Sequence, residues 1–167
     1  MFASLVSSLT SSLVSLCLVA PVAGPIAAPF VAPACPYCAG NRAIDYVTAT
    51  DEIVRAPIAG VVHFAGPVGG RGYVTIRVGE LFVTLGGLGE IDAGLRRSAV
   101  LRPGQVVGRA VGRDDPVSLS VRNEAGIHLD PTPWLGRLTS VGPRSRLVPV
   151  DGTPRRPAPR AVCRPGG

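Results

Sequence analysis

The sequence predicts an all-β protein, an antiparallel sheet arranged as a compact sandwich or barrel. Three observations predict it. Apolar and polar residues alternate over several short runs, the period of a strand with one buried face. Those runs are separated by turn sequences at short, regular intervals. The 21 Gly and 17 Pro in 167 residues also interrupt the chain too often for long helices. With 46% hydrophobic residues and 17% charged, a single domain has enough apolar material to bury a core without a metal or disulfide.

The elements follow in order. Ile44-Asp45-Tyr46-Val47 reads as a strand, and so does the stretch from Val54 to Phe64. Tyr73-Val74-Thr75-Ile76-Arg77-Val78 puts Val74, Ile76 and Val78 on one face and Tyr73, Thr75 and Arg77 on the other. Leu81 to Leu85 and Val106 to Val111 are further strands, and Val117-Ser118-Leu119-Ser120-Val121-Arg122 repeats the alternation. Turns are expected at Pro67-Val68-Gly69-Gly70, Val78-Gly79-Glu80 and Arg102-Pro103-Gly104. Only Ile91 to Val100 has room for a helical turn or two. The segments Ala56 to Val62 and Leu101 to Gly108 look like the paired elements of barrel-sandwich hybrid folds, which lipoyl and biotinyl domains share. The chain has 17 Arg and no Lys. That excludes a lipoyl- or biotin-carrying lysine, a Schiff-base lysine and a phosphate-loop lysine.

The ends differ from the middle. Residues 1–28 carry no charged side chain, and the apolar run from Leu5 to Ala20 followed by small residues and proline reads as a secretory signal, cleaved between Ala20 and Ala28. Pro21 and Pro25 interrupt the run before it is long enough to span a bilayer, so no integral membrane span is expected in the mature chain. Residues 29–40 form a Pro- and Cys-rich lead-in. From Arg137 to Gly167 there are seven Arg and one acid, Asp151, whereas Pro29 to Gly136 holds ten Arg and ten acids. The net charge of +6 therefore belongs to a Pro/Arg-rich tail, suited to anionic envelope polymers or to simple solvation. Nucleic acid is not an expected partner, because the domain has no basic face and the tail no aromatic residues for stacking.

Signal removal leaves Cys35, Cys38 and Cys163. Cys35-Pro36-Tyr37-Cys38 spells a glutaredoxin-type motif, but that chemistry needs a helix starting at the motif to lower the first thiol's pKa, and Ala39 to Val47 reads as turn and strand. The expectation is a structural disulfide from Cys163 to Cys35 or Cys38, worth about 4–5 kcal/mol for a loop of that size.

Taken together, Asn41-Arg42-Ala43-Ile44-Asp45-Tyr46, Val54 to Gly66, Gly72 to Arg77, Thr84-Leu85-Gly86-Gly87-Leu88, Leu101 to Gly108, Ser118 to Arg122 and Asp130-Pro131-Thr132-Pro133-Trp134-Leu135 resemble the lysostaphin/LytM-type peptidoglycan metallopeptidases. The resemblance spans residues 41–136. It implies an antiparallel sheet of the barrel-sandwich (duplicated hybrid) type with a long groove, which in active members holds zinc and a peptide cross-link.

In that family the first zinc ligand is a His four residues before a ligand Asp, a pair that falls on Asn41 and Asp45. The third ligand is the second His of a His-x-His strand, which falls on Ser118. The catalytic His positions fall on Pro116 and Gly87. One ligand of three survives, Asp45, and neither catalytic His does, whereas catalytic zinc needs three protein donors and an open position for water. No catalytic residue, metal or cofactor is therefore expected. Asn41, Asp45, Gly87, Ser118 and Ser120 should line an emptied groove. His63 and His128 should be satisfied or solvent-facing, Trp134 a packing anchor, and Gly66 to Gly72 no phosphate loop, since no helix follows it.

The expectation from the resemblance is an exported, catalytically inactive module that binds peptidoglycan or a cell-wall hydrolase, as degenerate members that activate amidases do. The alternatives are an active zinc endopeptidase with a rearranged site and a wall-attached domain whose basic tail supplies the affinity.

Overall fold

Alternation in the sequence becomes a sheet with one buried and one open face. The computed structural model describes residues 16–35, 37–141 and 160–165, with backbone alone for 137–141 and 160–165. Its strands are β1 (Leu18–Val19), β2 (Ile26–Ala28), β3 (Ile44–Tyr46), β4 (Ile53–Arg55), β5 (Gly60–Val68), β6 (Arg71–Val78), β7 (Leu81–Ile91), β8 (Val100–Leu101), β9 (Val106–Ala110), β10 (Val117–Asn123), β11 (His128–Leu129), β12 (Leu135–Val141) and β13 (Arg160–Pro165). Ten of them form one sheet in the order β2-β3-β10-β7-β6-β5-β8, with β11 on β10 and with β9 joining β4 to β7. Every pairing in this sheet is antiparallel, and it does not close into a barrel.

The expected turns are where the hairpins bend. Gly69 and Gly70, at φ +58° and +83°, join β5 to β6. Two positive φ values match the right-handed twist of the strands they connect. The stretch read as one strand from Val54 to Phe64 is two, split at Ala56–Ala59, and β7 runs on through Gly86-Gly87 to Ile91. No helical turn forms after Ile91. There Asp92 Oδ1 accepts from Gly94 N at 2.9 Å and Asp92 O from Leu95 N at 2.9 Å, closing turns instead.

One cluster makes the core. Val117, Leu119 and Val121 of β10, Val83 and Leu85 of β7, and Val74 and Ile76 of β6 are all fully buried. Burying each such side chain contributes about 1.5–3 kcal/mol. Tyr46 points into the same core from β3, and its hydroxyl has no hydrogen-bond partner there. Burial raises its pKa above the ordinary 10.0. Trp134, in the 3-10 turn Thr132–Trp134, packs against the cluster as expected of an anchor.

Both ends of the domain differ from the sequence reading. Residues 1–15 lie outside the described residues, but Leu18 is completely buried and Val22 nearly so, both within the main core. Hydrogen bonds from Val19 N to Pro57 O, Arg55 N to Pro21 O and Val47 N to Pro25 O, at 2.8–2.9 Å, strap residues 19–25 along the domain. Residues 18–25 therefore pack on the domain ahead of the boundary expected at residue 28. Apolar character, read as a leader, here also serves the core. At the other end, β1 pairs in parallel with β12, and β12 pairs antiparallel with β13. The tail expected to begin at Arg137 therefore starts inside a strand. Residues 142–159 lie outside the described residues.

The cysteine expectation is corrected as well. Cys35 and Cys38 are bonded to each other, with Cα atoms 4.9 Å apart. Paired backbone hydrogen bonds between Val31 and Asn41, at 2.8 and 2.9 Å, fold the lead-in back on itself, and Cys38 N donates to Cys35 O at the tip. The two cysteines are closed locally, so neither is available to Cys163. Cys17 is disulfide-bonded too, and the side chain of Cys163 lies outside the described residues. No helix follows Cys38; the chain bends and enters β3.

Candidate functional site

The open face of the sheet carries the polar half of each alternation, and strand register sorts it into rows. Asp45 on β3 lies opposite Ser118 on β10, which lies opposite Gly86 on β7. Two residues along, Ser120, Thr84, Thr75 and Phe64 form a second row across β10, β7, β6 and β5. A third holds Arg122, Phe82 and Arg77, with His128 of β11 opposite Arg122.

The first row is where three of the expected site residues meet. Asn41, four residues before Asp45, donates from Nδ2 to Asp45 Oδ2 at 2.9 Å and to Pro29 O at 3.1 Å. Its Oδ1 accepts from Ala43 N at 3.3 Å. The amide is thus committed at both ends. Asn41, Asp45 and Ser118 share one face, and Ser120 continues it.

Gly87 does not join them. Its φ is +77°, and a Cβ built there would stand 2.3 Å from Pro116 O. No side chain fits at 87, where the resemblance puts a catalytic His. Gly86 takes the place beside Ser118: a Cβ there would meet Ser118 Oγ at 2.7 Å and the Tyr73 ring at 2.5 Å. The missing side chain lets the tyrosine lie across the row. Pro116, half-buried, precedes β10 and presents its carbonyl to Gly87.

These donors do not fit zinc. Asp45 is the one strong ligand in the row, the Asn41 amide faces it with N–H, and Ser118 offers a neutral hydroxyl. Among the described residues no three His, Cys, Asp or Glu side chains come together in a group that could hold a metal.

Beyond this row lies a feature that motif spacing did not reveal. Ser120, Thr84 and Thr75 form the floor of a cleft of about 280 Å³, walled by Phe64, Val68 and Tyr73 at one end and Arg122 and His128 at the other. Thr75 Oγ1 and Thr84 Oγ1 share a hydrogen bond at 3.0 Å. His128 is half-buried, and its Nδ1 has no partner. Its pKa is lowered from 6.5, chiefly by burial and then by the charges of Arg42 and Arg122, against a hydrogen bond to the Arg42 backbone that raises it. His63, half-buried, meets Phe82 edge-on at 4.9 Å. The two-residue strand β11 is too short to show as alternation, so the sequence named His128 without placing it beside this cleft.

No family model matches the chain, and no curated protein does. Solved structures do match. Csd3 of Helicobacter pylori superposes with a TM-score of 0.62 at 21% identity, over 82% of this chain and 36% of its own. A chain of the SpoIIQ–SpoIIIAH pore-forming complex gives 0.59 at 16% identity, over 72% and 92%. The catalytic domain of the prophage-encoded M23 protein EnpA of Enterococcus faecalis, in a point-mutant form, gives 0.55 at 21%, over 65% and 89%.

The chain has the M23/LytM-type fold. It spans little more than a third of the length of Csd3. The row Asp45–Ser118–Gly86 crosses the open face of that sheet.

Proposed function

We propose that this chain is an exported, non-catalytic LytM-type module that binds the cell wall or one of its hydrolases through the open face of its sheet. The observation that supports it is the Asn41–Asp45 hydrogen bond. Two positions that would each give a lone pair to zinc instead satisfy each other. A water made nucleophilic by the metal then has no place in the chemistry. The floor that remains is polar, with the Tyr73 ring lying over Gly86, which suits a peptide or glycan strand. Partner binding also has a parallel in the neighbour drawn from a SpoIIQ–SpoIIIAH complex.

The test combines metal analysis, dye release from labelled peptidoglycan, and sedimentation with isolated cell walls. The expected outcome is substoichiometric zinc, no dye release, and sedimentation that Ser118→Trp abolishes. Neutralising Arg144, Arg146, Arg155 and Arg156 should leave sedimentation in place. Stoichiometric zinc with turnover lost in Asp45→Ala would establish the endopeptidase instead. Sedimentation that depends on those arginines and tolerates Ser118→Trp would assign the affinity to the tail.

A further inference from the structure

We propose that the cleft between the β5–β6 hairpin and the β10–β11 hairpin is a receptor for a peptide carboxylate, with Arg122 as its anchor. This rests on the reading of the chain as a binding module and gives that module a ligand chemistry.

Charge singles out Arg122. Arg77 and Arg122 flank the Phe82 ring at 5.9 and 5.1 Å. Arg77 is neutralised by Glu124 at 2.9 Å. Arg122 has no carboxylate partner among the described residues, and no acidic side chain lines the cleft. Its contact with Phe82 restrains the guanidinium at the cleft edge, so less side-chain entropy is lost when a ligand engages it.

The anion is a carboxylate by count. One guanidinium binds one carboxylate through two parallel N–H bonds, whereas a phosphate dianion would call for a second cation. Among the described residues the only other basic group in the wall, His128, is held toward its neutral form by burial and by Arg42 and Arg122. The remaining polar groups are hydroxyls. Ser120 stands at the Arg122 end of the floor, and the Thr75–Thr84 pair keeps one hydroxyl hydrogen unused, since a single hydrogen bond joins the two.

Size and walls make the carrier a peptide. The row from Ser120 to Phe64 crosses three strand spacings, about 14 Å, the span of roughly four extended residues. At the end away from Arg122, Phe64 and Val68 remain 40% and 54% exposed. They offer an apolar surface to a side chain three or four residues from the carboxylate.

The full chain is titrated by calorimetry with acetyl-Leu-Ala-Ala bearing a free carboxylate, with its C-terminal amide, and with the amide of acetyl-Leu-Ala-Glu. The free acid should bind at least tenfold more tightly than its amide. Affinity recovered by the Glu peptide supports the site and assigns the carboxylate to an acidic side chain; affinity confined to the free acid supports it and assigns a chain end. Arg122→Gln should lower affinity at least tenfold, with Arg122→Lys in between. Arg122 is exposed, so both variants should melt near the parent temperature. Equal affinity for all three peptides, or acid binding unchanged in Arg122→Gln, overturns the proposal, as does equal competition by inorganic phosphate. Cell-wall sedimentation of the same variants separates the two readings. Wall binding lost in Ser118→Trp but untouched in Arg122→Gln leaves the module and removes this cleft. Carboxylate binding without wall binding leaves the cleft and removes the module.

Discussion

Asn41 shows how a single residue can commit a carboxylate. Its amide bonds Asp45 and Pro29 O and accepts from Ala43 N, so the carboxylate is partnered and the local turn is tied. The other residue that departs from expectation is His128. Its native pKa is depressed by burial and by two arginines, so between that value and 6.5 the unfolded chain binds more protons than the native one. Stability from this group is complete above pH 6.5 and falls as pH drops through the window below it. Urea unfolding across pH 5–8 should show stability declining below about 6.5. In His128→Gln the decline should be shallower, and an unchanged profile would contradict a lowered pKa at His128.

At the scale of elements, register decides what can be rebuilt. Asp45 and Ser118 are cross-strand partners and Asn41 already touches Asp45, so Asn41→His together with Ser118→His brings three donors to one point. The double variant should retain stoichiometric zinc through dialysis, with affinity at least a hundredfold above the parent, measured by metal analysis. Gly87→His should unfold instead of adding a fourth group. Even Gly87→Ala, at φ +77° with Pro116 O 2.3 Å away, should cost about 2 kcal/mol or more in urea denaturation. The same contrast explains what was legible in the sequence. Period-2 alternation names the face of Ser118, Ser120, Thr75 and Thr84, because strand side chains alternate without exception while pairing stays regular. It fails at Gly86-Gly87, where β7 enters a left-handed residue and its register against β6 shifts between Gly72 and Val74. Gly-Gly spells neither event. Cys35–Cys38 escaped for a related reason: their closure depends on the Val31–Asn41 bridge, a pairing with no strand pattern to announce it.

For the whole molecule, the question is which residues the domain needs. Composition separates an uncharged start, a charge-balanced middle and an arginine-rich end, and packing crosses both divisions. Leu18 has no exposed surface and Val22 is 7% exposed, while β2 supplies the edge partner of β3, the strand that holds Asp45. A leader ending beyond Leu18 would take core side chains with it; one ending before Cys17 would leave the fold whole. Two chains decide the matter, one starting at Leu16 and one at Pro29. Loss of two buried aliphatic side chains costs about 3–6 kcal/mol, before the edge pairing and the Cys17 disulfide are counted, against a total of about 5–15 kcal/mol for a domain of ordinary stability. The shorter chain should show a lower urea midpoint, or no cooperative transition, while the longer one unfolds like the parent. Equal midpoints would mean that residues 16–28 only rest on the domain. The mature start would then be free to fall at the small residues from Ala20 to Ala28.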